Sequence, residues 1–336
     1  MFKLLLNVAL ILLAVGLIFT ASKNNDNRKK TIYYLATDMF NGFNISSAKN
    51  VEKFGKKLGY QVKILDAKNS SDIQNRQFET AMTTNPAAIM IKAVDNNSII
   101  ETAKRAALMG VAVIAYDNTI FCKDVSIASV LDTINVGEMA AKESVRLLTE
   151  KYGEPKGEIL QVMGNLGDMY SVNIAKGFNA TIKKNPEIRL ITKNSPKWKG
   201  QSRLVEKELL KNKNIKLIFV HADSVIPSII PILEAQGYKP GDVLIVGTDG
   251  DPAALQKIRE GWIQSTIGVP LIQQVWGMYE FLPQILEHKK LEAGTYELKG
   301  IQASLKIETW GPTLYLPGEI ITRENVDNSK LWGNSK

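Results

Sequence analysis

Two short, almost wholly apolar runs in this chain stop abruptly at an aspartate. Val111–Tyr116 leads into Asp117 and Asn118, and Val243–Val246 leads through Gly247 and Thr248 into Asp249 and Gly250. A strand with one wet face alternates apolar and polar residues. One that does not alternate is covered on both faces, as in a parallel sheet layered between helices. The polar residue closing such a strand lies at the sheet's carboxyl edge, where open α/β sheets hold ligands. Two such edges more than a hundred residues apart, each offering a carboxylate, predict two similar lobes that meet one polar ligand.

The rest of the chain fits that frame. Ile32–Ala36, Tyr60–Leu65, Ala87–Ile91 and Val111–Tyr116 read as strands, separated by helical spacing at Ser47–Leu58, Ser71–Met82 and Ser98–Met109. Short βα connections of this kind imply a parallel, right-handed, doubly wound sheet. The pattern restarts with strands at Ser126–Leu131, Glu158–Met163, Ile188–Thr192, Lys216–Val220 and Val243–Val246. Helices are expected at Val136–Lys151, Ser171–Lys184, Gln201–Lys211 and Val225–Gln236. No repeat is visible residue by residue, so the duplication is one of pattern. Ile263–Val269 reads as a strand and Leu271–Glu287 as one long helix returning to the first lobe, after which Leu298–Ile307 passes back to the second. Crossings of this kind make a multi-segment hinge. The expected division is 31–131 with 269–298 for the N-terminal lobe and 132–268 with 299–336 for the C-terminal lobe.

At 336 residues, 45% hydrophobic and 23% charged, the chain is long enough for two ordinary domains, and whole-chain disorder is excluded. Residues 1–22 have the order of a signal peptide: Lys3, the apolar Val8–Phe19, then Thr20, Ala21 and Ser22. Residues 23–30 form a polar linker. This predicts export to the periplasm, with an uncleaved membrane anchor as the alternative. The single cysteine, Cys122, forms no internal disulfide and stands far from the leader, so there is no lipid-attachment cysteine. The net charge of +8 is spread over lysine-rich helix faces such as Lys49, Lys53, Lys56 and Lys57. Without interleaved aromatics it does not make a nucleic-acid footprint.

Several segments carry a family resemblance. LGYQVKILDAKNSSD, the alanine-rich Thr102–Met109 and GVAVIAYDN make Leu58–Asn118 similar to the first lobe of ribose- and galactose-type periplasmic binding proteins, the type I fold. GEILQVMGNLGDMYSVNIAKGF, KLIFVHADSV and GDVLIVGTDGDPAALQKIREGWIQSTI resemble the second lobe. The ending LPGEIITRENVDNSKLWGN resembles the tail of many sugar-transporter binding proteins. The resemblance spans Thr31–Asn334. It implies the solute-binding subunit of an ABC importer: two lobes close on a sugar or polyol, and the closed monomer docks on a membrane permease.

Polyhydroxylated ligands need aromatic faces for their C–H side and carboxylate or amide groups for their hydroxyls. By resemblance, Asp117 and Asp249 stand where the family has sugar-binding aspartates, Phe43 where it has a stacking aromatic with Asn41 as an amide beside it, and Trp198 as the second lobe's aromatic. The chain also departs from the family. Asn118 replaces a frequent arginine, Val172 and Ile174 replace two more, Ala222 replaces the amide before Asp223, Thr248 replaces an aromatic, and the glutamine expected near Gly268 is missing. Asp38, Lys92 and Asp168, with Tyr170, are extra polar groups. Several carboxylates without arginine favour polyols, amino sugars or other neutral-to-cationic ligands over anions. Each residue has a plainer alternative: Asp249–Gly250 and Asp117–Asn118 as turns, Asp38 as a helix cap, Trp198 as core or surface, and His221 as a group satisfied by backbone.

An enzyme is disfavoured. The chain has two histidines, His221 and His288, and no nucleophile elbow, phosphate-binding Walker loop, dinucleotide fingerprint or paired metal-ligand motif. No cofactor and no metal are expected. A ligand-sensing repressor would begin with a helix-turn-helix, whereas this chain begins with an apolar leader. A sensor protein reporting to a chemoreceptor or membrane kinase remains the alternative to transport.

Overall fold

The computed structural model describes residues 30–40, 42–164, 166, 169–195 and 200–334. The leader and most of the linker, together with Asn41, Asp168 and Trp198, lie outside the described residues. In chain order the elements begin β1 (Thr31–Ala36), α1 (Gly42–Lys57), β2 (Gln61–Asp66), α2 (Ser71–Met82), β3 (Ala88–Ile91), α3 (Ile100–Leu108), β4 (Ala112–Tyr116) and β5 (Ile127–Leu131). They continue with α4 (Thr133–Tyr152), β6 (Gly157–Met163), α5 (Met169–Ile182), β7 (Ile188–Asn194), α6 (Gln201–Lys211), β8 (Ile215–Val220), α7 (Ile226–Ala235), β9 (Leu244–Asp249), α8 (Pro252–Arg259) and β10 (Ser265–Gly268). Last come α9 (Leu271–Glu280), α10 (Leu282–Leu286), β11 (Gly294–Leu298), β12 (Ile301–Glu308), β13 (Gly311–Leu316) and β14 (Glu319–Thr322).

Two compact units partition the chain. Of the described residues, one unit comprises those through Val130 with Val275–Lys299 and Ser304–Leu314; the other comprises those within Leu131–Gln274, Gly300–Ala303 and Tyr315–Lys336. Each is built around one sheet. The first has the order β11-β12-β13-β5-β4-β3-β1-β2, and the second β14-β10-β9-β8-β6-β7. Strands β1 to β5 pair in parallel, as do β6 to β10, and β14 closes the second sheet antiparallel to β10. Apart from the added strands, both follow one doubly wound order, the second strand outside the first and the third, fourth and fifth on the other side. Each therefore has a switch point, between β1 and β3 in one unit and between β6 and β8 in the other, and ligands of such sheets sit beside it at the carboxyl ends.

Local chemistry explains the elements. β1, β3 and β4 are buried along their whole length, as unbroken apolar runs require. Helix α2 starts where Ser70 Oγ accepts from the Ile73 N–H at 3.3 Å. Helix α4 is capped by Asp132, which accepts from Asn135 N–H, and ends at Gly153 with φ 82°. Its buried stripe, including Val136, Gly137, Ala140, Ala141 and Ser144, has helical spacing. At Gly137 a Cβ would lie 2.0 Å from the Ile174 carbonyl oxygen, and at Gly177 of α5 one would lie 2.0 Å from that of Ile134. The two helices thus cross backbone against backbone.

Two expectations differ from the structure. The helix expected over Leu271–Glu287 breaks at Phe281 into α9 and α10, because Pro283 has no N–H to continue the ladder. After Leu298 the chain turns back through Lys299 and Gly300, both at positive φ (49° and 91°), so β12 lies beside β11 and the first sheet is extended. At the opposite, amino edge of that sheet is a cavity of about 360 Å³ lined by residues such as Asn85, Gly110, Ser126 and His288. No helix of the described residues is long and apolar enough to cross a membrane.

Candidate functional site

In the first unit the start of α1 and the loops after β3 and β4 bring three of the expected residues together. Lys92 Nζ lies 2.6 Å from Asp117 Oδ2, with both side chains about 15% exposed (16% and 15%). The same ammonium stands 4.6 Å from the centroid of the Phe43 ring, a cation–π contact. Phe43 in turn stacks on Tyr116, centroids 6.4 Å apart and planes 14° from parallel. Asp117 has φ 64°, and its N–H donates to the Ser129 carbonyl, which fixes where its carboxylate leaves the strand. Gln74 braces the lysine's loop by donating to Lys92 O and accepting from Val94 N–H, each at 2.8 Å. Tyr116 shares a hydrogen bond with Ser47 at 2.8 Å.

Asp38 is 5% exposed and shapes the turn into α1. It accepts from the Phe40 N–H at 3.1 Å and from Asn44 Nδ2 at 2.9 Å. Helix α1 begins ahead of its apolar periodicity because this polar turn, not a buried stripe, starts it. Asn118 donates to Tyr116 O at 2.7 Å through its backbone and to Ala93 O at 3.3 Å through its amide, bracing the turn after β4.

In the second unit the carboxyl edge is organised around two aspartates. Asp223, wholly buried in the 3-10 turn after β8, accepts from Gly250 N–H at 2.8 Å, Asp251 N–H at 3.2 Å and Thr266 Oγ1 at 2.8 and 3.0 Å. A Cβ on Gly247 would lie 2.0 Å from its Oδ1, so only glycine fits there. Asp249, at φ 115°, accepts from Tyr170 Oη at 2.7 Å and from Asp223 N–H at 3.3 Å. Burial pushes both carboxyls well above the ordinary range, and Asp251 repels each of them; Asp223 adds to the rise at Asp249. Burial raises Asp251 to about 6. Among the described residues, no lysine or arginine offsets these rises.

His221 is satisfied by side chains as well as backbone. Its Nε2 is 3.1 Å from Gln161 Nε2 and its Nδ1 is 3.3 Å from Ser171 Oγ. Gln161 offers its amide hydrogens here because its oxygen already accepts from Thr192, so the histidine is neutral with its proton on Nδ1. Burial lowers its pKa to about 3.

The structure therefore gathers Phe43, Lys92 and Asp117 at one edge. It places Asp38 and Asn118 in supporting turns there, and sets Asp249 at the other unit's edge with Asp223 behind it. Tyr170 takes Asp249 as its partner. Sequence reading missed Thr266, Asn44 and Trp332, whose roles depend on folding, and also Phe40, 73% exposed in the loop after β1.

Known proteins share the sequence pattern and fold of this chain. A family model described as "Periplasmic binding protein domain" matches residues 32–290. The ribose import binding protein RbsB of Bacillus subtilis is 28% identical over 292 residues, covering 85% of this chain and 90% of that protein. The D-allose-binding periplasmic protein of Escherichia coli is 25% identical, covering 68% of this chain and 75% of its own length. Among solved structures, an ABC transporter solute binding protein from Bacillus halodurans with bound myo-inositol aligns with a TM-score of 0.74 at 21% identity, over 90% of this chain and 97% of that one. One from Actinobacillus succinogenes with bound D-allose aligns with a TM-score of 0.74 at 21% identity, over 89% and 100%.

Proposed function

Since this chain belongs to the periplasmic binding protein domain family, we propose that it is the extracytoplasmic solute-binding subunit of an ABC importer, taking up a sugar or polyol and delivering it to a membrane permease. The observation that carries the reading is the gathering of Phe43, Lys92 and Asp117 beside the switch point of one doubly wound sheet, with Tyr170 and Asp249 at the corresponding edge of the other. Phe43 supplies an aromatic face for C–H groups. Asp117, Lys92 and Asp249 supply acceptors and a donor for hydroxyls. Asp38, Asn118 and Asp223 hold the turns that aim them, and Asn41, Asp168 and Trp198 complete the proposed ligand set. The protein binds and releases its solute unchanged, as a monomer with neither cofactor nor metal, in the periplasm to which residues 1–22 direct it.

The charge distribution narrows the solute. Among the described residues Asp117 is matched by Lys92 and none supplies a cation to Asp249, which favours neutral polyols and amino sugars over sugar acids. The test is a thermal-shift screen of protein stripped of solute by unfolding and refolding, against D-ribose, D-allose, myo-inositol, amino sugars and sugar acids. A solute at a hundred times its dissociation constant adds about 2.7 kcal/mol of stability. The favoured solute should bind about 5- to 150-fold more weakly to Asp249→Ala, the loss of one hydrogen-bonding partner worth about 1–3 kcal/mol. Selective binding of a sugar acid would overturn the charge argument, and unchanged affinity in Asp249→Ala would overturn the placement of the site.

A further inference from the structure

We infer that the carboxy-terminal turn is a positioning element for the ligand edge, with Trp332 as the residue that holds Asp249 in its binding conformation. The inference rests on the reading of Asp249 as a ligand residue. Asp249 has φ 115°, a region that L side chains rarely adopt and that persists only where surrounding contacts impose it. Its side chain is held by Tyr170 and by the Asp223 N–H, and the two following N–H groups are held by the Asp223 carboxylate. Its carbonyl is held from the far end of the chain: Trp332 Nε1 donates to Asp249 O at 2.7 Å, alongside Val269 N–H at 3.0 Å.

The surroundings of Trp332 are built for that contact. The indole is 5% exposed. The next residue, Gly333, lies so close that a Cβ there would stand 2.3 Å from Gly250 O and 2.8 Å from Leu255 Cδ1. Asn334 then latches the tail: its amide donates to Val326 O and Asn328 O at 2.7 and 2.9 Å, and its oxygen accepts from Arg259 Nη2 at 2.9 Å. Arg259 ends α8, the helix that starts just after Asp249, and it also pairs with Asp327 at 2.8 Å. The tail thus grips both ends of the turn-and-helix that carries the ligand carboxylate.

The test uses full-length protein and Trp332→Phe, which keeps an aromatic ring and removes the donor, with Gly333→Ala as a second variant that lifts the tail without altering the indole. In solute-free protein, NMR amide exchange at Gly250 and Asp251 should accelerate at least tenfold in both variants while Ile218 and Phe219 of β8 stay unchanged. Affinities for D-ribose, D-allose and myo-inositol are then measured by calorimetry in wild type, Trp332→Phe, Asp249→Asn and the double variant. Trp332→Phe should weaken the sugar that binds about tenfold, and add nothing in the Asp249→Asn background. A general loss of fold would instead weaken both backgrounds alike. Wild-type affinity in Trp332→Phe, with Asp249→Asn weakened, overturns the positioning role and leaves the site standing. Wild-type affinity in Asp249→Asn overturns the site and the inference together. Should none of the three sugars bind, unchanged exchange at Gly250 and Asp251 overturns the inference on its own.

Discussion

Replacing Asp223 separates two contributions that a buried carboxylate combines: the hydrogen bonds it accepts and the charge it carries. In Asp223→Ala the Gly250 and Asp251 N–H groups and the Thr266 hydroxyl lose their acceptor in a wholly buried site. Each orphaned group costs about 1–3 kcal/mol, and water entering the vacated space recovers part, so the loss should be about 3–6 kcal/mol. At about 2–4 °C per kcal/mol for a protein of this size class, the melting temperature should fall on the order of 10 °C. Asp223→Asn should behave very differently. Its oxygen can take the place of Oδ2 before the two N–H groups while its amide donates to Thr266 Oγ1, so the bonds survive and the buried charge is gone. The Asp223 carboxyl titrates well above its ordinary value in the folded protein, so its proton is held more tightly there than in the unfolded chain. The stability this gives is full at pH below the unfolded value and is lost as pH rises through the folded one. Asp223→Asn should therefore match or exceed wild type at pH 7 and flatten the decline from acid to neutral pH. Urea unfolding from pH 4 to 8 measures both effects. Equal losses in the two variants, or an Asp223→Ala protein melting within a degree or two of wild type, would refute the reasoning.

Other outcomes follow from single contacts. Asp251, raised to about 6 from an ordinary 3.8, costs stability increasingly between those two pH values; Asp251→Asn should remove that decline and gain on the order of 1 kcal/mol at pH 7, given its partial exposure, as read by thermal melts across pH. Lys92→Met and Asp117→Asn should each destabilise by about 1–3 kcal/mol, and the double variant should lose less than their sum, a coupling that a denaturant double-mutant cycle detects and whose absence would mean the 2.6 Å pair is not formed in solution. Gly137→Ala should cost about 3 kcal/mol or more, because the obstacle is the Ile174 carbonyl and no rotamer change relieves it; Gly177→Ala should cost a similar amount, and the pair together less than twice either.

Much of the fold was legible because burial on both faces leaves unbroken apolar runs. α2 and α6 coincide with the residues expected from spacing alone, and β1, β3 and β4 fall within a residue of expectation. The β11–β12 turn was not legible, since Lys299 in a left-handed conformation carries no composition signal, and α1 was read short because a polar turn starts it. At the edges, Asp117 and Asp249 stood out as charges ending apolar strands. What could not be read was how the aspartates divide the work: Asp223 binds backbone because Gly247 leaves room for its oxygen, a fact of packing between strands. Likewise, Trp332 reaches Asp249 across 83 residues of chain, beyond any local pattern.

The doubly wound order gives each sheet two ends with different duties. Phe43, Lys92 and Asp117 in the first unit follow the carboxyl ends of strands, whereas connections entering the strands, such as Asn85–Pro86 and Gly110, line the cavity at the amino edge. Those entering connections are therefore the places to graft a reporter or an attachment handle, and the leaving ones are the places to diversify when a different solute is wanted.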